Sequence, residues 1–90
     1  MTSGIHLSAA RCEALFASAL QRSDDPTLPE VREAIQRALH ELGARGCAAW
    51  VAQEFGDHPE TAILRMQWAR AAVEQAYLER EPVPVAEFAA

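Results

Sequence analysis

Three histidines, two cysteines and thirteen acidic residues are the side chains in this sequence with obvious chemical potential. His6, His40 and His58 are far apart, and no pair has the i, i+4 or His-x-x-Glu-His spacing that sets two metal ligands on one helical face. The acidic pairs Asp24–Asp25 and Glu79/Glu81 fall where solvated charges belong. Cys12 and Cys47 form no Cys-x-x-Cys motif, and both lie on apolar helical faces, as buried free thiols would. Cys47 follows Gly46 near the start of a helical stretch, where a thiolate would be stabilised, but its stripe with Trp50 and Val51 argues for burial. There is no glycine-rich phosphate loop and no serine-nucleophile motif. The residues therefore point to a non-enzymatic protein with no catalytic group, metal or cofactor.

Composition bounds the scaffold that must carry any other function. Ninety residues make one small domain. A chain of this size buries roughly 60–65% of its unfolded surface, so a partner subunit would add useful burial. Half of the residues are apolar, with alanine foremost, which favours closely packed helices. All eight basic residues are arginine, a bias expected of a GC-rich bacterial genome. The formal net charge of −5 opposes a general phosphate-binding surface. The arginines have acidic neighbours within a turn or two except around Arg65 and Arg70, so solvated ion pairs explain most of them. The N-terminal stretch does not read as a signal peptide and no window is apolar enough to span a membrane. The expected location is cytoplasmic.

Punctuation and period predict an all-α bundle of about four helices over residues 1–80, with a flexible tail over 81–90. Ser8 is the expected cap of the first helix, whose inner face is Cys12, Leu15, Phe16, Ala19 and Leu20. "RSDDPTLP" ends it. Thr27 and Glu30 have capping-box spacing around Pro29, and the second helix runs through Val31, Ile35, Ala38, Leu39 and Leu42 to a stop at Gly43. A third carries Cys47, Trp50, Val51 and Glu54 or Phe55 and closes at Gly56 in the left-handed conformation. The fourth starts near Pro59 and ends near Arg80, leaving a tight turn of three or four residues around His58.

That corner carries a resemblance. "VAQEFGDHPETAILRMQWARA" (residues 51–71) looks like the helix-turn-helix of sigma-factor region 4: Ala52, Gly56, Pro59, Thr61, Arg65, Met66 and Ala69 match its frame without a gap. Ala62 stands where that family has a branched apolar residue, and His58 where it has a serine cap. The resemblance implies DNA contact by His58, Glu60, Ile63, Leu64, Arg65, Gln67 and Arg70. Base edges favour Arg, Asn, Gln or Ser, so Ile63, Leu64 and Glu60 fit that role poorly. The chain as a whole also resembles a group of small helical proteins from GC-rich bacteria, which implies a shared fold and no chemistry.

The last helix has two apolar stripes. Ala62, Met66, Ala69, Val73, Ala76 and Tyr77 make the expected core face. Leu64, Trp68, Ala71 and Leu78 line the other side, interrupted by Gln67 and Gln75. The second stripe is covered either within the chain or by another molecule. The preferred reading is an interaction or regulatory module that forms a homodimer, or binds a protein partner, through Leu64, Trp68, Ala71 and Leu78. The alternative is a helix-turn-helix DNA-binding regulator.

Overall fold

A computed structural model describes residues 3–78, with side chains from Leu7 to Leu78. The described chain is helical with no strand: α1 (Ser3–Ala17), a single 3-10 turn (Arg22–Asp24), α2 (Leu28–Asp57) and α3 (Pro59–Leu78). Among the described residues there are three α-helices where four were expected. α1 begins before Ser8, which lies exposed inside it rather than capping it. The 81–90 tail lies outside the described residues.

The start of α2 follows from local chemistry. Thr27 Oγ1 accepts from the Glu30 backbone N–H at 3.3 Å, and the Thr27 N–H donates back to Glu30 Oε1 at 2.8 Å. This reciprocal box satisfies two donors at the helix end, and Pro29 in the first turn removes a third.

The helix break expected at Gly43 is present, but the two arms on either side of it meet without a connecting loop and are counted together as α2. Gly43 alone leaves helical dihedrals, at φ 73° and ψ 166°, a region open essentially only to glycine. One residue makes the bend, so no connecting loop is needed. The bend is sharp. Nine residues of straight helix would separate Ala38 and Cys47 by ~13.5 Å along the axis, yet the Cys47 thiol donates to the Ala38 carbonyl at 3.7 Å. Gly46 sits inside the elbow, where an added Cβ would meet Leu42 Cβ at 3.1 Å.

The corner before α3 also differs from expectation. α2 continues to Asp57, and His58 alone is non-helical, at φ −140° and ψ 65°. Its N–H donates to Glu54 O at 2.7 Å, and its carbonyl accepts from the Ala62 N–H at 2.9 Å and the Thr61 hydroxyl at 3.2 Å. His58 thus ends one helix and caps the next. Gly56 stays helical, so the break is Pro59's: the residue before a proline is pushed out of the α region. The joint is one residue long, shorter than the three- or four-residue turn of a helix-turn-helix.

The three helices pack pairwise on one another around Leu15, Val31, Ile35, Cys47 and Val73. Ala14, Ala38, Ala69 and Ala76 fill the space between these larger side chains. Small residues at these positions let the helix axes approach, and each fully buried large side chain contributes roughly 1.5–3 kcal/mol. Phe16 is buried nearby and stacks on Phe55 with centroids 6.0 Å apart. The expected core stripe of α3 is inward: Ala62, Ala69, Val73 and Ala76 are buried, and Met66 and Tyr77 half-buried.

Candidate interaction surface

With the core stripe of α3 turned inward, its opposite side must face out. Leu64, Ala71 and Leu78 are seven residues apart, a spacing that drifts only ~20° per repeat around a straight helix. They form a ridge directed to solvent, with Leu64 60% and Leu78 64% exposed and Ala71 also exposed. Glu60, Gln67, Glu74 and Gln75 flank it and are exposed too. Three of the four residues expected at an interface thus lie on one outward line. Trp68 differs: it is half-buried at the edge of that line and packs against the core.

Trp68 is held there by Arg65, whose guanidinium carbon lies 5.1 Å from the centre of its ring and 5.6 Å from that of Phe16. Arg65 reaches inward across the bundle to the C-terminal end of α1. Its Nε donates to Phe16 O at 2.8 Å, and one terminal nitrogen to Leu20 O at 2.9 Å, Ser18 O at 3.0 Å and Leu15 O at 3.3 Å. The last carbonyls of a helix have no partner inside it and carry the negative end of its dipole. A cation with a planar fork of donors satisfies both needs. Burial pulls the Arg65 pKa down from its ordinary value, against which the Glu54 carboxylate acts. A role for Arg65 at a phosphate would require these bonds to be released.

The other residues implied in DNA contact, His58, Glu60, Ile63, Leu64, Gln67 and Arg70, are all exposed. Arg70 borders an open groove of about 750 Å³ between α1 and α3, with Arg11, Cys12, Met66 and Tyr77. There the Arg11 guanidinium stacks 3.7 Å over the Tyr77 ring. Arg32 Nη1 donates to Ala76 O at 2.8 Å, near the end of α3. Ion pairing explains fewer arginines than expected: among the described residues only Arg37 and Glu33 pair, at 3.2 Å, on an exposed face. Carbonyls hold Arg32 and Arg65, and a ring holds Arg11.

Both cysteines are free and buried. Burial raises the pKa of each thiol. At Cys12, Arg70 partly opposes this and Glu13 adds to it; at Cys47, Glu13 adds to it. Among the described residues no three His, Cys, Asp or Glu side chains gather as metal ligands, and no helix is long and apolar enough to cross a membrane.

Trp50 and Leu42, both placed on core faces by their spacing, are 50% and 45% exposed. They border a groove of about 480 Å³ with Ala17, Leu20 and Ala38. After the bend, the inward line runs through Cys47, Val51 and Phe55, and Trp50 falls to its side. No local signal in the sequence marks this, because the bend resets the phase between the two arms.

No family model, curated protein or solved structure matches the chain.

Proposed function

We propose that this chain is a small, non-enzymatic helical interaction module that self-associates through the outward ridge of α3. The observation that supports it most is the exposure of Leu64 and Leu78 on one line, with Ala71 between them. Two leucines per chain, each with more than half its surface to hide, offer a symmetric pair roughly 4–7 kcal/mol of apolar burial. That is comparable to the low end of the ~4–15 kcal/mol cost of association. The expected complex is therefore weak and reversible, with a Kd in the millimolar range or above.

Sedimentation equilibrium up to about 1 mM chain should show a monomer–dimer equilibrium. Leu64→Glu and Leu78→Glu should each shift it to monomer with unchanged circular dichroism, since both side chains are exposed. Association that survives both substitutions would sink the ridge as the contact surface.

A second reading, a DNA-binding regulator, is favoured by the shared exposure of His58, Glu60, Ile63, Leu64, Gln67 and Arg70 along one helix and its cap. The inward Arg65 and the net charge of −5 weigh against it. It predicts a salt-dependent mobility shift of duplex DNA that weakens in Arg70→Ala. Absence of any shift at low salt retires it.

A further inference from the structure

We infer that the partner of this ridge is a second copy of the same chain, with the two α3 helices antiparallel. The inference rests on the self-association reading above and adds the orientation and register. Leu64, Trp68, Ala71, Gln75 and Leu78 follow the alternating four- and three-residue steps of a coiled-coil seam. The seam is short, so its order along the helix decides how two copies fit.

In a parallel, in-register pair, Trp68 meets the partner's Trp68 and Ala71 meets the partner's Ala71. An overfilled layer then lies next to an underfilled one. In an antiparallel pair with the two-fold axis midway between these layers, each Trp68 packs against the partner's Ala71. Large then meets small twice, and packed interfaces favour such complementarity. Leu64 lies on the aliphatic stem of the partner's Gln75, and Leu78 opposite the partner's Thr61.

The flanks point the same way. In the antiparallel register Gln67 lies beside the partner's Glu74, and its amide can donate to that carboxylate on both sides of the axis. In the parallel register the favourable flanking pair would be Glu60 with the partner's Arg65. That arginine is already committed to four carbonyls, two in the last turn of α1 and two just beyond it. The same commitment seats Trp68 at the edge of the seam before any partner arrives. Each chain thus presents a fixed knob at Trp68 and a shallow site at Ala71.

The test uses disulfide trapping between full-length chains carrying one new exposed cysteine each, Leu64→Cys or Gln75→Cys, with one variant mass-tagged. The native thiols are buried, and the unsubstituted chain is the control. Mixed chains oxidised at dimer-forming concentration should give the 64–75 heterodimer in about ten-fold excess over either homodimer. A disulfide cannot span Cα atoms more than about 7 Å apart, and residues 64 of an antiparallel pair are offset by ~16 Å. Dominant 64–64 and 75–75 homodimers would overturn the antiparallel register and leave self-association standing. A chain that sediments as monomer would overturn both, and a dimer that traps at neither position would overturn the register and the ridge as its contact surface.

Discussion

Arg65→Ala is expected to lower the unfolding free energy by about 3 kcal/mol, a large share of the total for a domain of this size. Four carbonyls lose a charged donor at once: those of Leu15 and Phe16 in the last turn of α1, whose dipole makes them good acceptors, and those of Ser18 and Leu20 just beyond it. A hydrogen bond to a charged group contributes ~1.5–3 kcal/mol alone. The four share one guanidinium, however, and the partly exposed carbonyls recover some hydration, so their sum is not the expected loss. The stacking over Phe16 and Trp68 goes with them. Arg65→Lys should restore less than half, because one ammonium lacks the planar fork that spans Phe16 and Leu20 carbonyls together. Urea unfolding of the three proteins checks this. Full stability in the alanine variant would show that α1 needs no cap from α3.

Gly43→Ala and Gly56→Ala are expected to change stability in opposite directions. At Gly43 an alanine must hold φ 73° and ψ 166°, at a cost of about 1–3 kcal/mol. Straightening α2 would recover helix propensity worth at most ~1 kcal/mol. It would also separate Cys47 from Ala38 and pull the second arm from the core. Gly56 is helical, and nothing lies within 4 Å of an added Cβ, so alanine there should stabilise by ~0.5–1 kcal/mol. Thermal or urea unfolding of the pair reads both signs. A neutral Gly43→Ala together with a destabilising Gly56→Ala would mean that the bend has been placed at the wrong glycine.

The two glycines show what was legible in the residues. A glycine after a periodic apolar run marks a break, and Gly43 is one. Whether a break ends a helix or bends it depends on what the next arm packs against, which no local pattern contains. Gly56 carries the same local signal beside Pro59, but the proline alone suffices to end α2 at Asp57, two residues before it. The capping box at Thr27 was readable because all its atoms lie within four residues. The outward ridge of α3 was readable because a straight helix keeps phase over its length. Arg65 was not, since its partners are 45–50 residues away. Charge and exposure arguments assign such an arginine to solvent by default, and Trp68 is carried inward with it.

The same separation orders events during synthesis. The carbonyls that close α1 leave the ribosome well before the arginine that satisfies them. Ser18 can serve the Leu15 carbonyl locally, through its N–H and its hydroxyl, but until residue 65 is made water must serve those of Phe16, Ser18 and Leu20, and an isolated helix of this length is marginal in water. α1 is thus completed by α3, so a nascent chain lacking α3 has an unfinished α1.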